Sequence, residues 1–82
     1  MEKMVHRSLP ERTADAISDL IYRENYSSGA KLPGETELAT RLEVSRNTVR
    51  QAIRILTEKQ VVEVRRGAGT FVSLRRGLSD DV

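Results

Sequence analysis

Arg46, Asn47, Arg50, Gln51 and Arg54 crowd into one short stretch of this sequence. Guanidinium groups are rigid planar forks that match phosphate oxygens and the acceptor edge of guanine, and carboxamides match the edge of adenine. Such groups read a surface; they do not make or break bonds. Arg46, Arg50 and Arg54 also stand four residues apart, which places them along one side of a helix. The chemistry they could perform is recognition of a duplex polyanion. A merely solvated helix face carries arginines at the same spacing, so the elements around them have to decide.

The same stretch, V-S-R-N-T-V-R-Q-A-I-R-I-L at 44–56, has a second face. Val49, Ala52, Ile53 and Leu56 recur at i, i+3, i+4 and i+7, an apolar stripe at the helical period. Ser45 stands at the N-cap, so the helix start and its free N–H groups are defined. The spacing predicts a helix from Ser45 to about Glu58 or Lys59, its stripe on a core and its arginines outward. Its N-terminal half would enter a major groove with Arg46, Asn47 and Arg50 near base edges, Ser45 and Thr48 at phosphate, and Arg54 further along the backbone. Ile55 lies off the stripe and should meet a second surface, the neighbouring sheet.

Two helices must hold this one. Ser8 and Glu11 have capping-box spacing and Pro10 suits a first turn, which predicts a helix from Leu9 or Pro10. Thr13, Ala16, Ile17, Leu20 and Ile21 form its expected buried face. Asn25 to Gly29 is rich in turn residues. Lys31-Leu32 could add an edge to a small sheet before Pro33 stops it. Gly34-Glu35-Thr36-Glu37 then starts a second helix with acidic residues in its first turn, and Leu38, Ala39 and Leu42 face inward. Helix, tight turn and capped basic helix is the helix-turn-helix pattern.

Past that helix the period changes. Val61 to Arg65 is β-branched and partly alternating, Arg66-Gly67-Ala68-Gly69 is a turn, and Thr70-Phe71-Val72 is the return strand of a hairpin. Phe71, the only phenylalanine, is expected in the core. The fold class is therefore mainly α with a small β-hairpin (α+β), a three-helix winged helix-turn-helix. The chain divides into a flexible N-terminal arm at 1–8, the winged helix at 9–73, and a linker or truncated C-terminal end at 74–82.

Composition narrows the function. The net charge of +2 hides a division: residues 1–43 carry −2, residues 44–76 carry +6 and residues 77–82 carry −2. The positive field begins at the arginine helix and extends through the hairpin, as suits a polyanion. The chain has no cysteine and one histidine, His6, in the expected arm, so neither thiolate chemistry nor a His/Cys metal site is available. Its glycines lack the length and lysine of a P-loop. An enzyme is the least favoured class, and no cofactor is implied. No apolar run approaches the ~20 residues of a membrane span. The N-terminus has no signal-peptide apolar region, so no membrane association and a cytoplasmic location are expected.

Three segments together resemble the DNA-binding domain of the GntR family of bacterial transcription regulators: K-L-P-G-E-T-E-L-A at 31–39, V-S-R-N-T-V-R-Q-A-I at 44–53 and R-R-G-A-G-T-F-V at 65–72. The resemblance implies sequence-specific binding of double-stranded DNA, with Arg46 and Arg50 at positions that contact it. It places the wing, Arg65, Arg66, Gly67, Ala68 and Gly69, at the adjacent minor groove. Glu35 and Thr36 match the start of the second helix, where the family often carries an arginine against the backbone; here Thr36 replaces it, and one phosphate contact is in doubt. Gly34 stands where a capping serine is common. Glu43 and Gln60 stand where glycine often follows a helix, so left-handed backbone at a side-chain-bearing residue is expected there. The family plan further implies a homodimer of the full-length protein on a pseudo-palindromic operator. A small-molecule effector would be bound by a C-terminal domain outside these residues. The alternative is a winged-helix protein-interaction module without DNA binding, which would more often expose apolar residues where this chain carries arginines.

Overall fold

A computed structural model of the chain describes residues 7–73. The helices are α1 (Leu9–Arg23), α2 (Glu35–Leu42) and α3 (Arg46–Glu58), followed by strands β1 (Val62–Arg65) and β2 (Gly69–Val72). This is the expected winged helix-turn-helix. His6 and the rest of the arm through residue 6, and the whole of 74–82, lie outside the described residues. Arg7 and Ser8 adjoin α1: Arg7 pairs with Asp15 at 2.9 Å, and Ser8 caps the helix as its spacing to Glu11 predicts.

Both predicted serine caps form. The Ser8 hydroxyl accepts from the Glu11 amide at 3.2 Å while the Glu11 carboxylate accepts from the Ser8 amide at 2.8 Å. Hydrogen bonding from the Ser8 amide, and secondarily from its hydroxyl, stabilises the carboxylate and holds the pKa of Glu11 below its usual value. Ser45 likewise accepts from the Thr48 amide at 3.0 Å and fixes the start of α3. Gly34 precedes α2 with no side-chain cap, as its lack of a side chain requires.

The core is where the three helical stripes meet the hairpin base. Ile17, Leu20 and Ile21 of α1, Leu38 of α2, and Val49, Ala52 and Leu56 of α3 are buried with Leu32, Val61, Val62 and Val72. Ile55 is half-buried against this cluster. On α1 the expected Ala16 is only half-buried and Ala14 takes its place in the core. The two alanines flank the Ile17 stripe on opposite sides at roughly equal angles, so periodicity alone could not choose between them.

Phe71 also departs from expectation. The strands pair antiparallel, Val62 opposite Val72 and Glu63 opposite Phe71. The pleat alternates faces, so burying Val62 and Val72 turns Phe71 to the other side. Its ring is half-buried there, beneath the guanidinium of Arg65 at 4.3 Å from the ring centroid.

Lys31 adds the predicted edge as an isolated bridge to Phe71. Around it, the Gly29 amide donates to Val72 at 2.7 Å, the Leu32 amide to Thr70 at 2.8 Å and the Val72 amide to Ala30 at 2.8 Å. The connection between α1 and α2 thereby clasps the outer edge of the hairpin.

Glu43 adopts φ 59° and ψ 46° and Gln60 adopts φ 63°, so both expected left-handed residues are present, at the ends of α2 and α3. Asn25 is left-handed too, at φ 56°, a conformation asparagine tolerates. No described helix is long and apolar enough to cross a membrane.

Candidate nucleic-acid interface

Val49, Ala52 and Leu56 seat α3 on the core, and Arg46, Asn47, Arg50, Gln51 and Arg54 are left exposed on it. The stripe and the arginines occupy opposed faces because the chain alternates them at the helical period. The first turn of α3 contains no acidic residue, whereas α1 has Glu11 and α2 has Glu35 and Glu37. The positive end of the α3 dipole is thus not offset from within its own helix. Arg46 adds a cation at that same end.

Arg50 is the most constrained of the arginines. Its Nε donates to Glu35 Oε2 and its Nη2 to Glu35 Oε1, both at 3.0 Å, so the two planar groups meet fork to fork. Its Nη1 also donates to Asn47 Oδ1 at 3.4 Å. The Arg50 side chain is 57 % exposed and that of Glu35 36 %, so this pair contributes little to folding stability. Its effect is to orient Arg50 beside Asn47.

That geometry gives the Glu35 carboxylate a partner on α3. Resemblance placed it among the DNA-contacting residues, but its carboxylate is committed to Arg50 and would repel a phosphate brought close. Thr36, the next residue, is exposed at the start of α2. Ser45 and Thr48 hydroxyls lie 2.9 Å apart, and Ser45 is already engaged as the cap. Arg46 and Arg54 have no ion-pair partner among the described residues.

In the wing, Arg65 is stacked on Phe71 and lies 3.6 Å from Glu63, so it is held by its own hairpin. Arg66, Gly67 and Ala68 form the exposed tip, and Arg66 has no ion-pair partner among the described residues. The tip needs glycine at Gly67, φ 79°, and at Gly69, φ 129°, conformations an L side chain rarely adopts. The Ala68 amide closes the turn on the Arg65 carbonyl at 2.9 Å.

Between wing and helix runs an apolar cleft of about 300 Å³, whose walls include Leu32, Pro33, Ile53 and Val64 and whose rim includes Glu35 and Arg50. Recognition helix, α2 start and wing therefore border one concave surface. Of the sequence candidates, Glu35, Arg50 and Gly69 line this cleft, whereas Thr36, Ser45, Arg46, Asn47, Thr48, Arg54 and Arg65 to Ala68 lie outside its lining.

The family model described as bacterial regulatory proteins, gntR family, matches residues 9–72. The chain belongs to this family. Among curated GntR relatives, it is 44 % identical to the mannosyl-D-glycerate transport/metabolism system repressor MngR of Escherichia coli, over 89 % of this chain and 30 % of that protein. It is 50 % identical to the Uxu operon transcriptional regulator of E. coli, over 68 % of this chain and 22 % of that regulator. The chain thus spans less than a third of the length of these relatives. The Streptococcus agalactiae GntR structure superposes with a TM-score of 0.79 at 47 % identity, covering 83 % of this chain and 32 % of that one. The AraR DNA-binding domain in complex with operator ORR3 superposes with a TM-score of 0.74 at 29 % identity, covering 89 % and 88 %.

Proposed function

We propose that this GntR domain binds double-stranded DNA sequence-specifically, as the reading part of a transcription regulator. The observation that carries this reading is the fork between Glu35 and Arg50 on an α3 whose opposite face is packed into the core. A guanidinium held at fixed orientation on a rigid helix is suited to a bidentate contact with guanine, worth ~1–3 kcal/mol of discrimination. The operator-bound AraR domain, similar over most of its length, supports the same assignment.

In this mechanism the N-terminal half of α3 enters the major groove. Arg46, Asn47 and Arg50 face base edges, while Thr36, Thr48 and the start of α3 face phosphate, with Ser45 fixing that start. Arg54 reaches the backbone further along, and Arg66 to Gly69 meet the neighbouring minor groove. Arg65 supports the tip from its place on Phe71. In this role the domain itself does no chemistry, and a DNA partner suits a cytoplasmic location. By the family plan that the resemblance implies, the full-length protein would be a homodimer on a pseudo-palindromic operator, with an effector bound by a C-terminal domain; the relatives are long enough to hold such a domain. One domain makes half of such contacts, so this chain alone binds weakly, at roughly micromolar dissociation constants, with strong salt dependence.

Fluorescence anisotropy against a pool of random duplexes at two salt concentrations, with sequencing of the bound fraction, tests the reading. Enrichment of one half-site with a steep salt dependence is expected. No binding at low salt would overturn it and favour a protein partner.

A further inference from the structure

Lys31 was not among the residues singled out for DNA contact, yet its placement is specific. Its backbone bridges to Phe71, and the next residue, Leu32, donates to Thr70, which fixes Lys31 at the edge of β2. From there its side chain crosses the base of the wing. A β-carbon placed on Gly69 would lie 2.7 Å from Lys31 Cε and 3.6 Å from Nζ. The stem therefore occupies the space that glycine leaves open. Lys31 is exposed, with no ion-pair partner among the described residues, and it borders the same cleft as Glu35, Arg50 and Thr70.

The geometry points to Lys31 as a phosphate anchor between the two groove contacts, with Gly69 serving as the bed for its stem. This rests on the DNA-binding reading above. If α3 occupies a major groove and the wing tip the adjacent minor groove, the sugar–phosphate strand separating those grooves passes between them. The cleft lies between those two limbs, and Lys31 is a cation on its rim that no described carboxylate neutralises. Arg50 shares that rim, but its charge is offset by the Glu35 carboxylate, and in the proposed mechanism it faces base edges. A lysine suits this position because a point charge on a flexible stem needs no fixed orientation toward phosphate. The contact contributes to affinity and register without selecting a base.

The test compares the chain with its Lys31→Met and Lys31→Arg variants on the enriched duplex and on random duplex. Methionine keeps an apolar stem and removes the charge. Lys31→Met should lower the salt slope by about one unit on both duplexes, so that its affinity falls about fourfold less than that of the parent between 50 and 200 mM salt. Lys31→Arg should restore the slope. A duplex carrying one neutral methylphosphonate on the strand between the grooves should weaken the parent and leave Lys31→Met unaffected. A parent that binds with a slope Lys31→Met does not change would overturn the anchor and leave the DNA-binding reading intact. A parent that does not bind removes both. Unchanged melting temperatures in the variants separate loss of contact from loss of fold.

Discussion

Along α3, every exposed arginine has core behind it: Val49, Ala52 and Leu56 are buried on the same helix. Along the wing, residues 63–68 are all exposed, and Val64 is 54 % exposed although it is apolar. The helix holds Arg50 by a carboxylate from another element, Glu35 of α2, fifteen residues away. Among the described residues, Arg65 of the wing is held by its own hairpin's Phe71 and Glu63. One region is fixed by tertiary packing and the other by local contacts that water can compete with. A fixed fork suits base reading, where small displacements lose a bidentate contact. A wing that can adjust suits a backbone or minor-groove contact that carries less information.

The contrast can be broken most directly at Arg50. Arg50→Ala should weaken binding to the selected half-site by about 5- to 150-fold, the equivalent of ~1–3 kcal/mol, and weaken random duplex far less. Equal loss on both in a competition titration would make Arg50 a phosphate anchor and erase the distinction from the wing. Glu43→Gly acts on the foundation of the helix. Relief of a left-handed glutamate is worth about 1 kcal/mol, or roughly 4–8 °C in a domain of this size, so calorimetry should show a raised melting temperature. A lowered or constant value would mean that the Glu43 side chain compensates for its backbone.

Arg66→Ala tests the wing. It should reduce the salt slope by about one unit without altering which sequences are enriched; a changed consensus would make the wing a reader as well. The smallest effect belongs to Glu11. Its carboxylate is stabilised in the folded state by the Ser8 amide and hydroxyl, so its pKa is depressed. The stability it contributes is present above the unfolded pKa and is lost as pH falls through the lower folded value. Glu11→Gln keeps a capping acceptor without a charge, so its melting temperature should decline slightly less in acid than that of the parent. An identical acid limb would remove the capping box from the pH dependence.

The same contrast explains which features were legible in the sequence. Ser8, Ser45, the stripe Val49–Ala52–Leu56 and the turn glycines are set by neighbours within one helical turn or one hairpin, and local pattern suffices for them. Glu43 and Gln60 were marked by departure from a family pattern, and the backbone bears that out. The Glu35–Arg50 fork joins two helices, and no spacing rule announces it; the resemblance marked the start of α2 without pairing Glu35 to Arg50. Phe71 was misplaced because rarity and size were weighed above the pleat, which Val62 and Val72 decide. Lys31 was passed over because two residues before a proline carry no recognisable period. Its meaning comes only from the distant Gly69.

The clasp between residues 29–32 and β2 has a consequence for the order of events during synthesis. Its partners are the Thr70 carbonyl and the carbonyl and amide of Val72, close to the last described residue, and the Val72 side chain completes the core. A nascent chain that has already made all three helices still lacks this closure. Gly29 and Ala30 keep unpaired backbone groups until Val72 leaves the ribosome. The hairpin edge therefore closes only when the last strand arrives and pairs with the connection between α1 and α2.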